Sequence, residues 1–458
     1  MIEGGADAII KYIPSTTKRG TAEMKIIVIG AGQGGLRAAA LLAEKGIDIS
    51  IYEKCSEEEI GFDWFDGITT KMFDDLGIAV PSDSFKGSPV SFIGPGSDKP
   101  LYIWCTPEGM DWSVNRKSFT AQLVAEARAK GAKIFFGKTV ESLIFAGSSV
   151  SGIVADGESI YSDLVIDSSG MYSPFRQAVS SRARITAMSD EEDVFNVYRE
   201  ICEQVPDFPE LPANRKFQMF LKYQGKSSIS WCGVEPSGEL NVLVGMIGKM
   251  TDEDFDMLYS HLREDNPIIG GIKNGRCAKT AIPVRYPLTR FSFHGYTAIG
   301  DAAFMTIPIM GSGIENSIRA GQMLAETVIE NNSVSIETLW KYQVKYYRSA
   351  GAVCFLLDWA KRGLLATDNA ELKKFMESGA VRDEDIKAVM SGNIGEIPLG
   401  EWLAKPAKFL ASHSFVGGLM KYIVKGLRAA AVAYSIPSEY DTLKVNQWVY
   451  RAENAMKR

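Results

Sequence analysis

Lys25-Ile26-Ile27-Val28-Ile29-Gly30-Ala31-Gly32-Gln33-Gly34-Gly35-Leu36-Arg37-Ala38-Ala39-Ala40-Leu41-Leu42-Ala43-Glu44-Lys45-Gly46 opens on an apolar run too short for a free-standing helix and passes directly into Gly30-x-Gly32-x-x-Gly35. Beyond the glycines, Leu36, Ala39, Ala40 and Ala43 recur at helical spacing, so the segment predicts strand, tight turn and helix. The strand that follows, Ile47–Tyr52, ends at Glu53-Lys54, roughly 20 residues past the last glycine, where an acid that grips a ribose hydroxyl is expected. Gly30, Ala31, Gly32, Gln33, Gly34 and Gly35 would cradle a pyrophosphate on the new helix's N-terminus. Free amides and the helix dipole favour an anion there, and only glycine lets backbone come so close.

With 458 residues, 46% hydrophobic and 23% charged, the chain holds core enough for two or three domains of an ordinary globular protein. Its net charge of −6 argues against a nucleic-acid partner, which would call for a basic footprint. Cys55, Cys105, Cys202, Cys232, Cys277 and Cys354 lie scattered without a C-x-x-C, and the histidines are His261, His294 and His413. That pattern points to neither a zinc site nor a disulfide framework, so no metal is expected and a reducing, cytoplasmic setting fits best. Residues 1–23 read as an extension without the apolar stretch of a secretory signal, and no run is long and apolar enough to span a membrane.

Along the chain the rhythm changes twice. From Ser56 to Met110, turn-prone and aromatic-rich text (Ile60-Gly61-Phe62-Asp63-Trp64-Phe65-Asp66-Gly67) leads to a short helix ending at Leu76-Gly77 and to strands near Val90–Phe92 and Leu101–Trp104, too long an insertion for a plain loop. A helix opening near Trp112–Phe119 and a strand at Lys133–Phe136 restore the first style. Leu164-Val165-Ile166 then runs into Asp167-Ser168-Ser169-Gly170. Between about 185 and 275, alternating strands around Phe217–Tyr223, Ile229–Trp231 and Leu240–Val244 predict a mostly antiparallel sheet with one face free to roof a cavity.

The second strong signal is Tyr296-Thr297-Ala298-Ile299-Gly300-Asp301-Ala302-Ala303-Phe304, followed by Pro308 and then by Gly311-Ser312-Gly313-Ile314 ahead of a helix. Asp301 would stand at the carboxyl edge of a parallel sheet with a ribityl hydroxyl as its partner. The positive start of the second helix would lie beside a flavin's N1 and O2. A first triplet with Glu53, a mid-chain Ser169-Gly170 and a late Gly300-Asp301 together suggest FAD, whose long body needs holding at both ends. From residue 333 onward the text is helical (337–359, 382–390, 415–434). In the 415–434 segment Lys421, Lys425 and Arg428 form a basic face opposite Leu419, Ile423, Leu427 and Ala431, a pattern compatible with peripheral membrane contact at the inner membrane surface.

These three fingerprints resemble those of FAD proteins of the para-hydroxybenzoate hydroxylase type. Together with Val197-Tyr198-Arg199-Glu200, Ile282-Pro283-Val284-Arg285-Tyr286-Pro287-Leu288 and Trp448 in the tail, they resemble the geranylgeranyl reductase family from about Lys25 to the end. The resemblance implies an α/β (α+β overall) architecture: a Rossmann-like FAD-binding domain (24–60, 111–184 and 276–332), an inserted, mainly antiparallel sheet domain (61–110 and 185–275) and a helical C-terminal domain (333–458). It implies FAD as cofactor and reduction of carbon-carbon double bonds in a hydrophobic substrate. Two features depart from that family's pattern. Trp64-Phe65 stands where a Cys-Gly pair is usual, with Cys55 too early to replace it, and Ser228–Pro236 keeps only a Trp and a Pro of the usual substrate strand.

An alkene reductase needs an apolar pocket beside the flavin, a hydride and a proton. Trp64, Phe65, Trp104, Trp112, Trp231 and Phe304 are candidate walls. Asp63 and Asp66 are candidate proton carriers if burial raises their pKa. Arg116 and Val140 are expected against the cofactor, and Arg285 and Tyr286 along the substrate cavity. The substrate would be isoprenoid, lipid-like or cyclic, with electrons from ferredoxin, a reduced flavin or NAD(P)H. Two alternatives stand beside this reading: an aromatic monooxygenase of the same fold, and a non-catalytic prenyl or lipid carrier.

Overall fold

The computed structural model describes residues 24–87, 90–96, 100–102, 111–183, 190–377 and 417–457. The N-terminal extension, Trp104 and the expected helix over 382–390 lie outside the described residues.

Six strands form the first sheet, in the order Ser292–Phe293, Tyr296–Ala298, Leu164–Asp167, Lys25–Ile29, Asp48–Tyr52, Lys133–Phe135. All neighbours are parallel except the edge pair Ser292–Phe293 and Tyr296–Ala298. Ile26, Ile27 and Val28 are fully buried, as a central strand covered on both faces requires. From Lys25–Ile29 the chain moves outward through Asp48–Tyr52 to Lys133–Phe135, then crosses back to lay Leu164–Asp167 on the other side. The crevice at the strands' carboxyl ends therefore opens beside Ile29 and Asp167, where such sheets bind ligands.

The helices, in chain order, are α1 (Gln33–Glu44), α2 (Thr70–Leu76), α3 (Arg116–Ala129), α4 (Pro174–Ala183), α5 (Asp252–Asp265), α6 (Ile314–Asn331), α7 (Ile336–Tyr346), α8 (Ala352–Ala366), α9 (Asn369–Glu377), α10 (Gly417–Tyr434) and α11 (Thr442–Ala455). The two glycine-led helices, α1 and α6, pack backbone to backbone. A Cβ added at Gly34 would meet Ser317 O at 2.4 Å, and one at Gly321 would meet Gly34 O at 2.1 Å. Glycine at both positions is thus a packing requirement, and it carries the start of α6 to the start of α1.

Seven strands form the second sheet: Ile269–Pro283, Val194–Gln204, Leu240–Ile247, Ser228–Val234, Phe217–Leu221, Ser91–Ile93 and Leu101–Tyr102. The antiparallel ladder Arg199↔Leu243↔Trp231↔Met219 sets which side chains share a face. Its outer face (Cys202, Cys232, Val242, Val244) is closed by Leu258 and Leu262 of α5. Its inner face gathers Phe195, Val197, Leu243 and Val284 with Ile229, Trp231, Ile247 and Ile282. The strand Ile269–Pro283 runs straight through the expected division at 275/276.

Two small sheets were not anticipated. Val140–Ala146, Ser149–Ala155 and Glu158–Tyr161 form one, and its Asp156-Gly157 turn, with φ of 46° and 78°, is a hairpin signal open to sequence reading. Phe65–Ile68 pairs with Trp112–Asn115, which also pairs with Phe85–Lys86. The aromatic stretch expected as a turn is therefore partly strand.

In the helical tail, α10 crosses α8 at two glycines. A Cβ at Gly426 would lie 2.8 Å from Leu356 Cδ1, and one at Gly363 the same distance from Leu419 Cδ1. The buried stripe of α10 is accordingly Leu419, Gly426, Ala429 and Ala433, with Tyr422 half-buried beside it. This corrects the expected stripe, in which Ala431 is exposed and Ile423 and Leu427 are only half-buried: close approach of two backbones selects small residues over large apolar ones. A buried charge cluster fastens α8 to the sheet domain. Lys361 Nζ lies 3.4 Å from Asp193 and 3.2 Å from Asp358, and Arg362 Nε lies 3.0 Å from Asp358. Burial alone would raise the Asp358 carboxyl, but Lys361 and Arg362 outweigh it and hold it below the usual carboxylate range.

Candidate active site

The first glycine turn is built against the mid-chain segment. A Cβ at Gly30 would meet Ser168 O at 2.7 Å, at Gly32 Ser168 Oγ at 2.5 Å, and at Gly35 Val28 Cγ1 at 2.9 Å. Gly30, at φ 86°, also uses a backbone region that side chains disfavour. Glu53, at the end of the second strand, accepts from Ala31 N (2.7 Å) and Cys55 N (2.9 Å), which holds the carboxylate over the turn; Lys54 beside it is exposed. Asp167 is fully buried and accepts from Ser169 Oγ (2.6 Å) and Tyr296 OH (2.7 Å), fixing the loop through Ser169 to Gly170.

Among the helices with described N-caps, α2, α3, α5, α7 and α11 are capped by a Thr, Asn, Ser or Asp side chain. In contrast, α1 and α6 start at Gly32 and Gly313 without a side-chain cap; α8 also lacks one at Gly351, but there the chain runs on from α7 in helical conformation. The first amides of α1 and α6 are left for a ligand. Ser317 in α6 joins the two starts, since it abuts Gly34 and a Cβ at Gly300 would meet its Oγ at 2.7 Å. Asp301 accepts from Thr306 Oγ1 at 3.0 Å; burial raises its carboxyl, opposed by Thr306 and by the nearby Arg116 guanidinium. Ile307 N donates to Ser312 O at 2.8 Å, closing the Pro308–Gly311 loop. Thr69 N and Oγ1 each donate to Glu315 at 2.8 Å, tying the inserted helix α2 to the first turn of α6.

The sheet's inner face reaches this loop. A Cβ on Gly311 would lie 3.7 Å from Phe195 and 3.9 Å from Val284. Away from Gly311 the face turns polar. Arg199 pairs with Asp66 at 2.7 Å and donates to Phe65 O and, through Nε, to Asn241 Oδ1 at 2.9 Å. Trp231 Nε1 donates to the same Asn241 oxygen at 3.0 Å. Asn241 Nδ2 donates to Glu235 at 2.8 Å, and burial pushes that carboxyl up. A separate cavity of about 380 Å³ lies between the sheet rim, α8 and α10, lined by Ile247, Trp359, Arg362, Tyr422 and Lys425 among others.

Several expected roles change in this geometry. Asp66 does not meet the condition of a raised carboxyl: burial would raise it, but Arg116 and Arg199 together hold it below the usual range. Asp63 is exposed, accepting from Asn115 Nδ2 at 2.8 Å and pairing with Arg276 at 3.2 Å. Trp64 and Phe65 are buried; Trp64 stacks on Phe62 at 4.3 Å and lies under Arg199. Phe304 is fully buried, beneath the Arg176 and Arg285 guanidinium groups, so it is core and not an open wall. Trp112 lies under Lys86 in the inserted sheet, and Tyr286 packs on Phe355 of α8. Arg116 starts α3 and gives Nε to Asp66 at 2.7 Å. Val140 opens a strand of the unexpected three-stranded sheet. Ser168, Arg176 and Thr306 lie within or beside the motifs quoted above but carry no role in the sequence reading; Asn241, Glu235 and Glu315 are not singled out by it, and Glu315 meets its partner Thr69 from a distant segment.

Among solved structures the chain is similar to a geranylgeranyl bacteriochlorophyll reductase-like protein from Thermoplasma acidophilum, with a TM-score of 0.72 at 18% identity over 87% of this chain and 99% of that one. It is also similar to a flavin-dependent brominase, with a TM-score of 0.60 at 17% identity over 83% and 99% of the two chains. At such identities the likeness is one of fold. Distant homologues by sequence include the digeranylgeranylglycerophospholipid reductases of Sulfolobus acidocaldarius (23% identical, 79% of this chain and 82% of the relative) and Methanothrix thermoacetophila (26%, 79% and 92%). The glycine-lined cleft between two uncapped helix starts suits a long dinucleotide with phosphates in its middle. The family model described as the FAD binding domain matches residues 23–333, well over half of the chain, so this protein belongs to the FAD binding domain family and FAD is its cofactor.

Proposed function

We propose that this FAD-dependent oxidoreductase saturates carbon-carbon double bonds of a hydrophobic substrate, isoprenoid, lipid-like or cyclic. FAD, when bound, supplies the hydride. Gly30 to Gly35, Glu53 and Lys54 would hold its adenosine and pyrophosphate end, with Val140, Ser169 and Gly170 alongside. Gly300, Asp301, Pro308 and Gly311 to Ile314, with Arg116, would hold its ribityl and ring end. The observation that carries the reading is the apolar inner face of the sheet, with Phe195 and Val284 seated over Gly311. It covers the ring end with hydrocarbon and excludes water from the place where a double bond would lie. The distant homology to digeranylgeranylglycerophospholipid reductases supports the same class.

A diffusible donor, ferredoxin, reduced flavin or NAD(P)H, would supply electrons. Work in the cytoplasm, with peripheral contact at the membrane surface through Lys421, Lys425 and Arg428, fits the exposure of these side chains on α10. Among the described residues no helix is long and apolar enough to cross a membrane. The test is to bleach the flavin anaerobically and add prenyl lipids and conjugated cyclic alkenes in turn. Return of the oxidised spectrum with a product two hydrogens heavier is expected. No return with any of them, or NAD(P)H oxidation that consumes oxygen and yields a hydroxylated product, would sink the proposal.

A further inference from the structure

We infer that the helical tail carries a one-electron relay, in which Tyr286, Tyr347, Trp448, Trp340 and Tyr440 lead oxidising equivalents from the flavin chamber to the surface. This protective function goes beyond the reductase reading and rests on it only for the place of the flavin ring. Reduced flavin that meets oxygen yields oxygen-derived one-electron oxidants. Such an oxidant takes its electron from a nearby electron-rich side chain, a tyrosine or a tryptophan. Where those side chains stand in an unbroken line to water, the damage is moved away from the site.

The line starts at the ring-end loop. Val284 lies against Gly311, and Tyr286 follows two residues later. The Arg285 guanidinium lies 4.3 Å from the Tyr286 ring centre and 5.0 Å from that of Phe304, the residue after the Gly300–Ala303 turn. Ring centres then follow one another without a gap: Tyr286 to Phe355 4.7 Å, Phe355 to Tyr347 6.2 Å, Tyr347 to Trp448 5.0 Å, Trp448 to Trp340 6.1 Å and Trp340 to Tyr440 6.0 Å. These are contact separations for aromatic pairs. Phe355 is too hard to oxidise and serves as a bridge, while each of the others exchanges an electron with its neighbour.

Hydrogen bonding along the line favours passage inside and trapping at the surface. Tyr347, Trp448 and Trp340 are fully buried. Each donates to a backbone carbonyl: Tyr347 OH to Leu288 O at 2.7 Å, Trp448 Nε1 to Val432 O at 3.0 Å and Trp340 Nε1 to Pro437 O at 2.8 Å. A carbonyl accepts a hydrogen bond but does not take the proton, so a buried member that loses an electron keeps its proton and regains the electron from the next ring outward. Tyr440 differs. It is half-buried, its oxygen accepts from Arg290 Nη2 at 3.0 Å, and its own proton has no acceptor among the described residues. For each electron drawn inward Tyr440 gives one electron to Trp340 and one proton to water. The neutral phenoxyl radical left behind is reduced by one hydrogen atom from a soluble thiol or ascorbate.

The test uses the FAD-loaded full chain, freed of unbound flavin and kept without oxygen or substrate. Illumination in the flavin's visible band makes the bound flavin the one-electron oxidant, a nitroso spin trap in solution marks radicals that reach the surface, and peptide mass spectrometry locates the adduct. The adduct is expected on Tyr440 and not on Tyr434 or Tyr450, which are 57% and 68% exposed but make no ring contact among the described residues. Tyr440→Phe should lose the adduct with flavin content unchanged. Trp448→Phe should lose it with Tyr440 still in place, and Trp340→Phe serves the same purpose where the first variant does not fold. Adducts on Tyr434 and Tyr450 in place of Tyr440, no adduct in the unmodified protein, or a Tyr440 adduct that survives in a folded, flavin-loaded Trp448→Phe or Trp340→Phe protein overturns the inference. Since no alkene is present, these outcomes are independent of whether any alkene reoxidises the flavin.

Discussion

Asp66 shows how partners decide what a side chain can do. Flanked by aromatics in an apolar insertion, it would be a plausible acid, yet Arg116 from α3 and Arg199 from the sheet converge on it at 2.7 Å each. The same carboxylate therefore becomes the hinge pin between insertion, nucleotide domain and roof. Asp66→Asn should destabilise the fold by about 3–5 kcal/mol, because Arg199 is left buried without a counter-charge; chemical denaturation measures it. The sign with pH follows from the depressed carboxyl. The stabilisation is fully present above the ordinary aspartate range near pH 4 and is lost as pH falls through the lower folded-state value, so the gap between the two proteins should close only in strong acid. A gap that closes near neutrality would show that Asp66 is not the ionised partner of both arginines.

Helix pairs decide where the two halves of the cofactor site sit. Because α1 and α6 touch through Gly34 and Gly321, their uncapped starts are carried to one crevice although their glycine motifs lie about 270 residues apart in the chain. The crossing of α8 and α10 uses the same device at Gly363 and Gly426. Gly426→Ala should lower stability by about 1–3 kcal/mol, the usual range for overpacking, since the added methyl meets the Leu356 backbone at 3.0 Å. Gly418→Ala, with nothing within 4 Å, serves as the control in the same melting experiment. Equal shifts for both would deny the close crossing.

For the molecule as a unit, the cofactor links segments that the chain keeps apart. Ligand that binds only the folded state stabilises it by mass action, about 2.7 kcal/mol at a concentration one hundred times the dissociation constant. Melting temperature should therefore rise with added FAD, and Gly34→Ala, which forces α1 from α6, should weaken that rise more than it lowers the melting point of the cofactor-free chain. A full rise in the variant would show that the two helix starts do not share one ligand.

The nucleotide crevice was legible because its determinants are local: strand, glycine turn, small-residue helix and terminal acid each carry their own periodicity and φ requirement. The second glycine turn, the antiparallel sheet and the helical character of the tail were legible for the same reason. What the chamber beneath the sheet offers was not. Arg199 reaches both Asn241 and Asp66 only because antiparallel register sets Arg199 and Asn241 on one face, and Phe304, read as a wall, is sealed beneath two arginines. Local pattern determines which backbone groups are free to bind phosphate; the burial and pairing of charges depend on contacts between distant segments, and those exist only once the chain is folded.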